Sequence, residues 1–230
     1  MKKIDAIFFD AGRTLLYAHP SVGELYARAA ALQGRVVDAK TMEAAFSETW
    51  RRNDHEHIGI EFWRRAVYAT MERVGGVPDP EACFKELWRV FAEPEVWRLY
   101  DDVLNALAAL NARGYKLAVL SNWDRRLRGL VEGTELHRHF DALIISEEVG
   151  VEKPDRKIFE MALRAVGVEP SRALHVGDSY REDYLGARAV GMHAILLDRH
   201  CEAMPRHPER PMDSEACITI RSLDELLAML

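Results

Sequence analysis

The sequence predicts an α/β fold, a parallel sheet covered by helices on both faces, with an all-helical block of four helices inserted after the first strand. Three observations carry this. Ile4–Phe9 is apolar apart from Asp5 and free of Pro and Gly, the texture of a strand buried on both faces. From Lys116 onward, short apolar runs alternate with amphipathic stretches, the pattern of strand–helix units joined by right-handed crossovers. Between the two, from about Tyr17 to Ala92, apolar residues recur at helical spacing, with several aromatics and almost no β-branched runs.

Taken in order, Ser21 and Glu24 fit a capping box that opens a first helix through about Leu32, ended by Gly34. Thr41–Arg52, Gly59–Val74 and Pro80–Phe91 complete the block, the third with Phe62, Trp63, Val67 and Met71 along one stripe. Asp101–Arg113 is an amphipathic helix stopped by Gly114. Lys116–Leu120, Phe140–Ile145, Ala173–Val176, His193–Leu197 and Cys217–Ile220 read as strands. Helices are expected at Arg125–Val131, Asp155–Val166, Tyr184–Val190 and Ser222–Met229, and loops at Ser146–Pro154 and Arg199–Glu215. The helical block severs the first strand from the second. The sheet domain, a Rossmann-like core, is therefore expected to comprise residues 1–15 and 93–230, and the helical cap domain residues 16–92.

Composition bounds the function. A chain of 230 residues with 48% hydrophobic and 30% charged residues can bury a substantial core. Its net charge of −6 argues against a nucleic-acid or membrane surface, which needs clustered Lys and Arg, and leaves a small molecule as the expected partner. The apolar run after Met1-Lys2-Lys3 is too short for a signal peptide and no 18-residue apolar stretch follows, so the expected location is cytoplasmic. Cys83, Cys201 and Cys217 are odd in number and scattered, which suits reduced thiols. Nothing in the sequence specifies an oligomeric state.

Several strand ends carry chemistry. Asp10 follows the first strand at once, Ser121-Asn122 end the second, Lys153 lies in the loop after the third, and Asp178 with Asp183 follow the fourth. In a parallel sheet these positions share the carboxyl edge, where open α/β sheets hold ligands, and Gly12 is read as the point where the backbone turns sharply behind Asp10. Singly, each has an ordinary role as a cap, a solvated cation or a strand terminator. Together, a nucleophilic carboxylate, a hydroxyl, a cation and two further acids are what displacement at phosphorus requires. Two acids and a hard divalent ion, Mg²⁺, would neutralise the phosphoryl oxygens while Lys153 and Ser121 oppose the remaining charge.

Asp10-x-x-x-Thr14, Leu120-Ser121-Asn122, Lys153-Pro154-Asp155 and Gly177-Asp178-Ser179-x-x-x-Asp183 resemble, in order and in context, the four motifs of the haloacid dehalogenase-like hydrolase superfamily. The insertion after the first motif is similar to the helical cap of its first subfamily. The resemblance implies that Asp10 is a nucleophile forming an aspartyl-phosphate, and that Asp178 shares Mg²⁺ with Asp10 and the Gly12 carbonyl. It also implies that Thr14 and Ser121 bind the phosphoryl group, with Asn122 and Arg13 counted among the substrate-binding residues. Lys153 would pair with that charge and with Asp10, Asp183 would orient Lys153 or a metal-bound water, and the cap would close over a small phosphorylated substrate.

One departure bears on the chemistry. The superfamily's phosphatases usually carry a second Asp two residues after the nucleophile, as general acid and base; here that residue is Gly12, and Arg13 stands where Gly is usual. A missing acid/base typically costs about 10²–10⁴-fold. Acyl or aryl phosphates, whose leaving groups need little protonation, would tolerate the loss; otherwise another group or a water substitutes, or the protein binds phosphate with little turnover. A metal-free 2-haloacid dehalogenase also lacks the second Asp and is the alternative enzyme, although Gly177-Asp178-Ser179 with Asp183 looks like the metal-binding form of the fourth motif. Phosphonoacetaldehyde-type hydrolysis would want a cap lysine, and Lys40 and Lys85 have no marked context. Asp54-His55-Glu56-His57 reads as a solvated helix end, Trp50, Trp63, Trp88 and Trp97 as core contacts, and His175 as a hydrogen-bonded core residue. Arg125, Arg126 and Arg128 read equally as a greeting for an anionic substrate or as a solvated helix face.

Overall fold

The computed structural model describes residues 4–52, 58–199 and 217–230; Asp54-His55-Glu56-His57, the expected loop beyond Arg199, and Cys201 lie outside them. The chain forms two compact units, Met1–Leu16 with Leu99–Leu230, and Tyr17–Arg98. β1 (Ala6–Phe9) is buried throughout. After it come β2 (Leu16–Ala18), α1 (Val22–Leu32), α2 (Ala39–Arg52), α3 (Ile60–Arg73), α4 (Pro80–Val90) and β3 (Trp97–Leu99), with β2 and β3 paired as a two-stranded sheet. Those two strands have three residues each, too few for an alternation to be read from sequence.

Within Tyr17–Arg98 each helix buries one stripe: Leu25, Tyr26 and Ala29 from α1, Met42 and Ala45 from α2, Val67 and Met71 from α3, Phe84 and Leu87 from α4. Burying a large side chain stabilises by about 1.5–3 kcal/mol, well above the few tenths that helix propensity contributes per residue, so packing holds these helices together. Ser21 Oγ accepts from the Glu24 amide at 3.0 Å, while the Glu24 carboxylate pairs with Arg28, so only half of the expected capping box forms. Trp50 stacks on Trp63 with ring centroids 5.7 Å apart, and the Trp97 indole donates to the Phe91 carbonyl at 3.1 Å. These tryptophans serve packing inside the helical unit.

The remaining elements are α5 (Val103–Ala112), β4 (Lys116–Ser121), α6 (Arg126–Glu132), β5 (Ala142–Ile145), α7 (Ser146–Val149), α8 (Arg156–Val166) and β6 (Ala173–Gly177). A π-helical stretch, Tyr180–Leu185, leads into α9 (Gly186–Ala189), and β7 (His193–Leu197), β8 (Thr219–Ile220) and α10 (Leu223–Met229) follow. The strands form one six-stranded sheet in the order β5-β4-β1-β6-β7-β8, and every pairing is parallel. On one face Phe8, Ala118 and Leu120 pack with Ile158, Phe159 and Ala162 of α8. Strand alternation sends Ile7, Phe9, Leu117 and Val119, all fully buried, to the other face, beside α5.

Two expectations fail locally. The segment read as a loop from Ser146 opens with the single turn α7, because the Ser146 hydroxyl exchanges hydrogen bonds with the Trp123 backbone and the Glu147 amide donates to the Trp123 carbonyl. The helix expected from Tyr184 starts at Tyr180 in π form, since both the Asp183 and Tyr184 amides donate to the Ser179 carbonyl. No helix among the described residues is long and apolar enough to cross a membrane. Cys83 and Cys217 are free thiols.

Candidate active site

β1 lies between β4 and β6 with Phe9 level with Val119 and Val176, and the Asp10 amide donates to the Val176 carbonyl at 3.0 Å. Asp10 therefore leaves the sheet at its carboxyl edge, where Ser121 ends one neighbouring strand and Asp178 follows the other. Connections run to opposite sides of β1, so this is the switch point at which open parallel sheets hold ligands.

Side chains from four segments meet there. Asp10 Oδ1 accepts from Ser121 Oγ at 2.8 Å and from Lys153 Nζ at 2.8 Å, leaving Oδ2 for other work. Lys153 Nζ also donates to Asp183 Oδ1 at 2.5 Å. Asp10, Asp178 and Asp183 each offer a carboxylate oxygen, all within 4.8 Å of one another.

Lys153 is placed by Asn122. The Asn122 side chain accepts from the Lys153 amide at 2.7 Å and donates to the Lys153 carbonyl at 2.9 Å, clamping that backbone from β4. The same amide group reaches Glu182 Oε2 at 3.1 Å. Asn122, expected among the substrate-binding residues, directs these hydrogen bonds to the protein, because a short amide at this strand end reaches the lysine backbone.

Asp183 is placed by β6 and the π turn. Its Oδ2 accepts from the Ser179 amide at 2.9 Å and its Oδ1 lies 2.8 Å from His175 Nε2. Within the described residues His175 Nδ1 is buried and unpartnered, so Nε2 carries the proton and donates to the carboxylate. Gly177 makes room: a Cβ there would stand 2.3 Å from the Asp183 carboxyl carbon. His175, set aside as core from the sequence, is core, yet it acts directly on the site. A lone polar residue in an otherwise apolar strand, three residues before Asp178, is the signal that marks it.

The electrostatics follow from crowding acids in a dry place. Burial raises the Asp10 carboxyl, with Lys153 and Ser121 offsetting this only in part. Burial, with repulsion from Asp10 and Asp183, pushes Asp178 up to about 7 against the pull of Arg13. Glu182, absent from the sequence-based candidates, is likewise pushed up to about 7, by burial and the neighbouring acids against Lys153. Burial alone would neutralise Lys153 and Asp183, but their mutual attraction, with Asp10 and His175, outweighs it, so the Lys153 amine is raised and the Asp183 carboxyl lowered.

The loop after Asp10 turns differently from expectation. Gly12 is not in the left-handed region; the residue that is, at φ 57°, is Arg13. What Gly12 provides is clearance, since a Cβ would meet the Trp123 ring at 3.1 Å. Arg13 Nη1 lies 3.2 Å from Asp178 Oδ2. Thr14 is fully buried and its hydroxyl has no hydrogen-bond partner among the described residues, an orphaned donor one loop away from Asp10. Arg125, Arg126 and Arg128 pair with Glu147, Asp124 and Glu148, so all three serve the α6 surroundings.

A model of the haloacid dehalogenase-like hydrolase family matches residues 4–191. The chain is 40% identical over 201 residues to mouse haloacid dehalogenase-like hydrolase domain-containing protein 3, covering 82% of this chain and 80% of the relative. It is 37% identical over 153 residues to a phosphoserine phosphatase of Thermus thermophilus, covering 66% and 60% of the two chains. Among solved structures, a HAD phosphatase from Thermococcus onnurineus superposes with a TM-score of 0.68 at 27% identity, over 98% of this chain and 97% of that one. With its parallel sheet and its acids gathered at the end of the central strand, this chain belongs to the haloacid dehalogenase-like hydrolase family.

Proposed function

We propose that the protein is a Mg²⁺-dependent phosphatase-type hydrolase of a small phosphorylated metabolite, acting through an aspartyl-phosphate on Asp10 in the cytoplasm. The observation that carries this is the Asp10 carboxylate held by Ser121 and Lys153 through one oxygen, with Asp178 and Asp183 alongside. Three hard oxygen donors within 4.8 Å, in a site where burial and then repulsion raise Asp178, are the donor set a small divalent cation neutralises. Asp10, Asp178 and the Gly12 carbonyl would hold that cation, which when bound supplies charge neutralisation for the phosphoryl oxygens.

Asp10 Oδ2 attacks phosphorus, the bond from phosphorus to the leaving oxygen breaks, and water then cleaves the acyl phosphate to return the free carboxylate and inorganic phosphate. Lys153 and Ser121 fix the nucleophile and face the transferred group, the buried Thr14 hydroxyl gains a phosphoryl oxygen as partner, and Asp183 keeps Lys153 charged and in place. With glycine at position 12, the leaving oxygen receives no proton from that residue, which favours acyl and aryl phosphates. The helical unit, which we take as the cap, would select the leaving group.

The test is hydrolysis of an aryl phosphate with Mg²⁺, with and without chelator. Asp10→Asn is expected to lower kcat at least about a thousandfold and to prevent trapping of beryllofluoride. Turnover of the aryl phosphate that survives chelator would count against the metal-dependent reading, and halide release from a 2-haloacid in chelator would favour the metal-free dehalogenase. Trapping on Asp10 without turnover of any phosphate ester would favour a phosphate-binding protein.

A further inference from the structure

Building on the proposed cation site, we infer that Arg13 is a tethered counter-cation for Asp178, a resident positive charge that a divalent ion must displace before it can use that carboxylate. Arg13 Nη1 stands 3.2 Å from Asp178 Oδ2. Two protein cations thus serve three neighbouring acids: Lys153 takes Asp10 and Asp183, and Arg13 takes Asp178. The two differ in freedom. The Lys153 side chain is 1% exposed and bonded to two carboxylates, whereas that of Arg13 is 49% exposed, on a long flexible stem that water can receive.

The backbone points the same way. Arg13 occupies the left-handed region at φ 57°, which is disfavoured for any residue with a Cβ, in the tight loop that follows Asp10. A glycine would adopt that turn without steric cost, and it would leave Asp178 without its protein cation. Arg13 and a divalent ion compete for the same carboxylate lone pairs, and a guanidinium left in place would repel the ion.

Mn²⁺ binding to the full chain, read by titration calorimetry and by loss of the free-ion paramagnetic resonance signal, tests this without a substrate. Arg13→Ala is expected to bind Mn²⁺ about fivefold to tenfold more tightly than the parent, Arg13→Lys less tightly than Arg13→Ala, with the gap narrowing as NaCl rises. Arg13→Gly, free of the backbone penalty, is expected to behave as Arg13→Ala and serves should the alanine variant fold poorly. Affinity in both variants within twofold of the parent, or weaker, overturns the inference while leaving the cation site standing. Asp178→Asn is expected to abolish binding with or without Arg13. Undiminished binding in that variant, or no binding in the parent and Arg13→Ala alike, defeats the cation-site reading itself and the inference with it.

Discussion

Asp183 shows how much of this site depends on supporting hydrogen bonds. Its carboxylate accepts from Lys153, His175 and the Ser179 amide, and each donor comes from a different place in the chain. Replacing His175 by Phe leaves that buried carboxylate one donor short, a loss expected to cost about 1–3 kcal/mol; His175→Gln, which retains an N–H, is expected to recover part of it. Urea denaturation of the two variants checks this, and equal stability in both would show that the hydrogen bond contributes nothing. At Gly12 the constraint is space. Gly12→Asp would supply the missing carboxyl, but with Trp123 at 3.1 Å from the new Cβ the ring must yield by a few tenths of an ångström. Phosphate release from an alkyl phosphate is expected to rise more in Gly12→Asp combined with Trp123→Leu than in Gly12→Asp alone. A slower double variant would refute the steric account.

At the level of elements, the site depends on how closely α8, β6 and the π-helical stretch pack. Gly186 opens α9 against the Phe159 ring, where a Cβ would stand 2.8 Å from the ring and 3.2 Å from the Pro154 Cα. Pro154 follows Lys153, so this glycine lets the lysine loop sit down on the helix that succeeds Asp183. Gly186→Ala overpacks a rigid ring and a backbone atom together and is expected to destabilise by about 1–3 kcal/mol while lowering kcat. Phe159→Leu in the same chain is expected to restore part of the stability, a coupling read from the double-mutant cycle; strict additivity would mean that the two residues do not oppose each other. The π form places Asp183 by bringing two successive amides onto the Ser179 carbonyl, one residue of winding more than an α-helix would use.

For the whole molecule, the crowded acids set a pH dependence whose sign can be worked out. Asp178 and Glu182 titrate at about 7 when folded, whereas unfolded Asp and Glu titrate at about 4. Between those values the folded chain binds more protons, so its stability falls as pH rises through about 4 to 7 and levels off above. Lys153, raised, and Asp183, lowered, stay charged across that window. In chelator the melting temperature is expected to be several degrees lower at pH 8 than at pH 5.5, and millimolar Mg²⁺ is expected to remove most of that difference by neutralising the same carboxylates. Scanning calorimetry at the two pH values decides, and a melting temperature that rises with pH in chelator would contradict the electrostatic account.

The residue order by itself determined the parallel α/β class and the chemistry-bearing residues at the strand ends, because apolar periodicity is local and a charged residue breaking a buried run is visible wherever it stands. Asp10 after Phe9 and Asp178 after Gly177 are of this kind. Only the tertiary structure decided that Asn122 clamps the lysine backbone, that His175 donates to Asp183, that Arg13 turns the loop and pairs with Asp178, and that Trp123 fills the space beside Gly12. Most of these contacts join residues tens of positions apart, and all rest on directions and clearances of a few tenths of an ångström. Such quantities arise when strands and loops close on one another, and no local pattern encodes them.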